Sequence, residues 1–167
     1  MNTLRPNVVM RPARADDLPY LDAVRQAAFA PVFASFRSIL GDDIYALAQA
    51  CEDEAQGELF ISLLAPESGW EVYAAEMAGA VVGFVSIRLN QETQVGEIGL
   101  NAVHPDHAGH GIGTSMYVFA VARMKEAGMR VATVATGGDP SHAPARRAYE
   151  KAGFTVQIPS VWLCRKL

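Results

Sequence analysis

The chain has 167 residues, 50% of them hydrophobic and 19% charged, a globular balance that excludes a disordered polymer. The formal net charge of −4, with a pI near 5.5, comes with no basic stripe and excludes the electrostatic footprint of a nucleic-acid binder. The two cysteines, Cys51 and Cys164, lie far apart and outside any CxxC, which points to a reducing compartment rather than a disulfide framework.

In chain order, Val8 to Arg11 is a short apolar strand stopped by Pro12. Ala15-Asp16-Asp17 supplies capping acids for a helix from Leu18 to Phe29, with Leu21, Val24 and Ala28 at helical spacing and Pro31 as its stop. Val32 to Phe36 reads as aromatic and irregular, and Asp42 to Gln56 as a second helix closed by Gly57. Trp70 to Glu76 and Val81 to Leu89 form a hairpin about Met77-Ala-Gly-Ala80. Val95 to Val103 is a strand interrupted by Gly96 and Gly99, where a bulge or a close ligand approach is expected. A helix from Ile112 to Ala127, a strand from Arg130 to Ala135 and a helix from His142 to Ala152 follow. Phe154 to Ile158 and Val161 to Arg165 are expected as closing strands. The order β, α, α, β, β, β, α, β, α, β, β predicts a mixed α/β layer fold, a single domain over residues 1–167. No apolar run approaches the roughly 20 residues of a membrane span, and the first residues lack an apolar core of signal-peptide length. The expectation is a soluble, cytoplasmic protein with no nucleic-acid or membrane partner.

His104-Pro-Asp-His-Ala-Gly-His-Gly-Ile-Gly-Thr-Ser115 carries three of the four histidines. Zinc sites on helices favour i, i+4 spacing, whereas His104, His107 and His110 recur every third residue. Pro105 and Gly109 would break any helix that aligned the three rings, so turn histidines are expected and no metal. Gly109, Gly111 and Gly113 bring the third glycine one residue early for a dinucleotide fingerprint, and no lysine-bearing P-loop is present. What remains is a strand, a glycine-rich loop and a helix. Physically this is an anion site in which backbone N–H groups and the positive helix end hold a pyrophosphate. Arg123, Lys125, Arg146, Arg147 and Lys151 flank the same region and suit a small anionic ligand.

Val103-His-Pro and Gly109-His-Gly-Ile-Gly113 are followed by a helix, Gly and an aromatic: His142-Ala-Pro-Ala-Arg-Arg-Ala-Tyr-Glu-Lys-Ala-Gly-Phe154. In this order and separation they resemble the GNAT family of N-acetyltransferases over roughly residues 70 to 158. The resemblance implies a central, mostly antiparallel twisted sheet splayed between strands 4 and 5 and flanked by helices. It implies acyl-CoA-dependent transfer, acetyl from acetyl-CoA by family default, to a primary amine of a small molecule or peptide by direct attack in a ternary complex. The backbone of Asn101, Ala102 and Val103 would pair with the pantetheine arm. The amides of Gly109, His110, Gly111, Ile112, Gly113 and Thr114 would cradle the pyrophosphate, although Ala108 stands where the family usually has Gln or Arg. His142 falls where many members have an Asn that contacts the cofactor arm. Tyr149 falls at the general-acid position and would protonate the departing thiolate. Glu97, beside the presumed acetyl site, is the first candidate to accept the amine proton, with Asp139 behind it. The departures at Ala108 and His142 keep a second reading in view, a CoA-binding sensor without turnover. Phe29, Phe33, Phe36 and Tyr45 suit either core or acceptor pocket. Asp42, Asp43, Glu52, Asp53 and Glu54 suit either a cationic amine or a solvated face. Val161-Trp-Leu-Cys164 suits either an internal strand or a homodimer contact.

Overall fold

The computed structural model describes residues 7–167, and the fold is built from alternating β-prone and amphipathic runs. Strands β1 (Val9–Pro12), β2 (Trp70–Met77), β3 (Ala80–Asn90), β4 (Val95–Val103) and β5 (Val131–Val134) lie in one sheet in that spatial order. The first four are antiparallel neighbours, and β5 runs parallel to β4. The parallel step needs a crossover, and helix α3 (Ile112–Glu126) supplies it. Helices α1 (Leu18–Ala48) and α2 (Ala50–Leu63) cover one face, and α3 and α4 (Ala143–Lys151) cover the other. Leu21, Val24 and Phe60 meet Phe84 and Ala102 on the first face. Ile112, Met116, Tyr117, Ala120 and Met124 meet Val85, Ile87 and Ile98 on the second. Arg11 clamps β1 to the entrance of α1, reaching Asp17 and Glu76 at 2.8 Å each.

The expectations for both N-terminal helices are corrected. Pro31 does not end the first helix, and Val32 to Phe36 is helical rather than irregular. A proline forfeits one helical hydrogen bond. Here Ala28 and Phe29 pack on the inner core and Phe29 lies 6.0 Å from Phe33 a turn later, so burial holds the helix through the proline. The break comes at Gly41, whose φ of 73° leaves the helical region. The second expected helix is likewise divided at Gln49 and continues to Leu63. Gly57 is not its stop. It lies inside α2, where a Cβ would stand 3.3 Å from the guanidinium of the buried Arg25.

The expected closing strands, Phe154 to Ile158 and Val161 to Arg165, do not form. Their composition is β-prone, but strand propensity is realised only on a paired, half-buried surface. The outer edge of β5 pairs with nothing among the described residues, and Val156, Ile158, Val161 and Leu163 are exposed. Lys166 forms an ion pair with Asp43.

β4 is irregular where its glycines predict it. Val85 faces Asn101 and Ile87 faces Ile98, so three steps of β4 oppose two of β3. This is a bulge at Gly99 and Leu100, opposite Ser86, whose hydroxyl donates to the Leu100 carbonyl at 2.9 Å. The glycines themselves make room for side chains rather than for a ligand. A Cβ on Gly96 would lie 2.6 Å from Met124, and one on Gly99 would lie 2.4 Å from the Trp70 ring. Met124 can shift a flexible chain, whereas the Trp70 ring cannot bend. Gly99→Ala is therefore expected to destabilise the protein by about 1–3 kcal/mol, and Gly96→Ala by less. Urea unfolding of the two variants checks the order.

Candidate active site

β5 pairs with β4 only from Val95 to Ile98. Beyond Ile98 the two strands part, and the rest of β4 has no partner on that side among the described residues. A cleft of about 610 Å³ opens in the gap. Its floor is β4 from Glu97 to Val103, and its walls come from the glycine loop, the starts of α3 and α4, and the stretch of α1 around Phe29 and Pro31.

The loop after β4 turns through Pro105–His107, where the His104 ring accepts the Asp106 amide at 3.3 Å. Gly109 (φ 79°) and Gly111 (φ 81°) both occupy the left-handed region, which a side chain would strain. Gly111 is the N-cap of α3 and offers no side-chain cap, so the first amides of the helix are left to a ligand. These features fit an anion held by backbone. Gly109, Gly111, Ile112 and Gly113 line the cleft, as do Asn101, Ala102 and Val103, whereas His110 and Thr114 lie outside the lining. The His110 ring turns back to the His107 carbonyl at 3.3 Å. Among the described residues no three His, Cys, Asp or Glu side chains gather as metal ligands would.

The bulge reverses the facing of the residues that follow it. Leu100 and Ala102 face α1, while Asn101 faces α3 and α4. There the Asn101 amide donates to the Tyr149 oxygen at 3.0 Å and to the Gly99 carbonyl at 2.8 Å, and its carbonyl accepts the Tyr117 hydroxyl at 2.8 Å. The two tyrosine rings are 4.3 Å apart. Burial raises the Tyr149 phenol above its ordinary range, and hydrogen bonds from Tyr117 and Asn101 offset part of the rise. Burial, with Tyr149 beside it, raises Tyr117 well above that range. Both phenols stay protonated at neutral pH. Tyr117 is the functional candidate that the motif reading missed. Its signal was Gly113, one helical turn earlier on the same face, whose missing Cβ would sit 3.8 Å from the Tyr117 ring.

At the N-cap of α4, His142 bonds through Nδ1 to the Asp139 carboxylate. Its ring stacks on Phe36 at 5.9 Å. Burial pushes the Asp139 carboxyl up, but hydrogen bonds from Ser141, His142 and Ser35 bring it down to about 2. Glu97 lines the cleft but forms an ion pair with Arg88, which lies 4.9 Å over the Trp70 ring. Of the basic residues flanking the site, Arg123 is engaged with Glu71 at 2.7 Å, and Arg146 with the Asp139 carbonyl at 2.9 Å. A second cavity of about 380 Å³ adjoins the cleft between α1 and α2. Phe33 and Phe36 enter its lining, as do Glu52 and Asp53. The Asp53 carboxylate accepts Tyr45 at 2.7 Å and Gln49 at 2.8 Å.

The model of the Acetyltransferase (GNAT) family matches residues 33–154. The chain belongs to this family of acetyltransferases. Solved structures repeat the fold. A GNAT-family protein from Desulfovibrio desulfuricans is 21% identical with a TM-score of 0.67, over 90% of this chain and 87% of that one. A GNAT family acetyltransferase from Brucella melitensis, solved with acetyl-CoA, is 22% identical with a TM-score of 0.63, over 90% of this chain and 84% of the other. The ribosomal-protein-S18-alanine N-acetyltransferase from Escherichia coli is 16% identical with a TM-score of 0.65, over 90% and 79%. A search of curated proteins gave no significant match. No helix among the described residues is long and apolar enough to cross a membrane.

The Asn101 bond to the Tyr149 oxygen stabilises the phenolate more than the phenol. Asn101→Ala is therefore expected to move the Tyr149 ionisation to still higher pH. Ultraviolet titration of Asn101→Ala, with Tyr149→Phe to assign the signal, reads the shift.

Proposed function

We propose that this chain transfers an acetyl group from acetyl-CoA to an amine, with Tyr149 as the general acid. The observation that carries the reading is the Asn101–Tyr149 bond at the bulge, in the same cleft as the uncapped start of α3. Gly109, Gly111 and the first amides of α3 would hold the pyrophosphate, with Ala108 contributing backbone only. The free edge of β4 from Asn101 to Val103 would align the pantetheine arm as an added strand. When bound, acetyl-CoA supplies an activated acyl carbonyl. An amide of β4 beyond the bulge would polarise that carbonyl and carry the negative charge that develops on it. Tyr149 donates its proton to the sulfur that leaves, and Asn101 steadies the phenolate so formed. Tyr117 keeps Asn101 from turning, because it occupies the carbonyl side of the same amide. The acceptor would enter from the cavity between α1 and α2, whose aromatic wall and acidic rim suit an ammonium on an apolar body.

Thiol release from acetyl-CoA, followed with a panel of amines (polyamines, arylalkylamines, aminoglycosides, peptides), tests the reading. Tyr149→Phe is expected to lower kcat by about 10²–10⁴-fold while acetyl-CoA still binds. Gly111→Val places a β-branched residue at φ 81° and is expected to abolish acetyl-CoA binding in calorimetry. Tight binding with no turnover against the whole panel would favour a CoA-binding sensor instead.

A further inference from the structure

We infer that His142, oriented by Asp139, is the group that takes the proton from the incoming amine. The inference rests on the acetyl-transfer reading above. Four residues wall both the main cleft and the side cavity: Phe29, Val32, Leu100 and His142. Only His142 among them has an ionisable side chain. An amine passing from the side cavity to the cleft must pass this group, whereas Glu97 lines the main cleft alone and is bound to Arg88.

The imidazole is set up to accept. Its Nδ1 donates to the Asp139 carboxylate, so the lone pair is on Nε2, which has no protein partner among the described residues. The carboxylate is itself fixed from three more directions, by the Ser35 hydroxyl at 2.9 Å, the Ser141 amide at 3.0 Å and the Ser141 hydroxyl. Gly137 is part of the device. A Cβ there would lie 2.5 Å from His142 Nδ1 and 2.7 Å from Asp139 Oδ1, so only glycine lets the pair close. Three carboxylates and one guanidinium lie around the ring or the side cavity. Asp139 is in contact with it, and Glu52 and Asp53 of α2 line the side cavity. Arg146 of α4 is turned to the carbonyls of Gly137 and Asp139. Phe36 of α1 covers one face of the ring.

The protons balance as follows. Nε2 removes one proton from the ammonium, and the free amine attacks the acyl carbon. The C–N bond forms, the C–S bond breaks, and Tyr149 protonates the sulfur. The nitrogen then loses its surplus proton, which restores the Tyr149 phenol, and His142 releases its own to solvent. Asp139 is a positioning residue in this scheme.

The test uses the full chain with the best acceptor of the panel. His142→Gln is expected to lower kcat by about 10²–10⁴-fold, with acetyl-CoA affinity unchanged. The acid limb of its pH profile should vanish. Asp139→Ala leaves Nδ1–H without its acceptor, so kcat should fall and the Nδ1–H tautomer should be lost; a merely structural role would leave the tautomer in place. Nitrogen-15 NMR of the imidazole should show the Nδ1–H tautomer, and Gly137→Ala should abolish it without unfolding the chain. Unchanged kcat in His142→Gln, loss of acetyl-CoA binding in place of kcat, or an Nε2–H tautomer would each overturn the inference alone. Wild type that binds no acetyl-CoA would instead overturn the reading beneath it.

Discussion

One extra residue in β4 governs the site. The bulge at Gly99 and Leu100 is fixed by Ser86 on the neighbouring strand and by the Asn101 amide, which holds the Gly99 carbonyl. Without it the alternation of a strand would turn Asn101 toward α1, away from both tyrosines. The same irregularity coincides with the point where β4 leaves β5. A single insertion thus separates two strands, exposes one backbone edge and brings an amide side chain to Tyr149.

The cleft that results is chemically two-sided. On the helical side, buried phenols share one amide, and burial keeps them protonated. On the loop side, a carboxylate held ionised by its hydrogen-bond donors orients an imidazole. The two sides therefore differ in environment, protonated phenols on one and an oriented imidazole on the other. Each is anchored through an element other than its own, Tyr149 by β4 and Asp139 by Ser35 of α1. The packing of helices on the sheet therefore sets the relative placement of the two groups.

The elements around the site were legible in the sequence because local signals agreed with the global fold. β4 was read to its final bounds, and α3 to within a residue, since glycine punctuation and apolar periodicity coincide there. In the N-terminal helices, Pro31 and Gly57 are strong local stops that packing overrides. The closing segments show the opposite case, a strand-like composition that pairs with no strand among the described residues. At the site, backbone features such as Gly109 and Gly111 were readable from glycine spacing alone. Pairings between distant residues were not. Asn101 with Tyr149 spans 48 positions and Ser35 with Asp139 spans 104, and no periodicity reports contacts of that range.

The floor of the cleft is a strand edge and the start of α3 offers a row of amides, so much of the surface there is common to every amino acid. Such a surface is largely indifferent to substitution provided the backbone path survives. Its vulnerable positions are the few that set that path, chiefly Gly99, Gly109 and Gly111. Side chains along that edge and loop can then change while the backbone surface of the cleft is kept. New selectivity then falls to side chains, those of α1 that wall the cleft and those of α1 and α2 around the adjoining cavity.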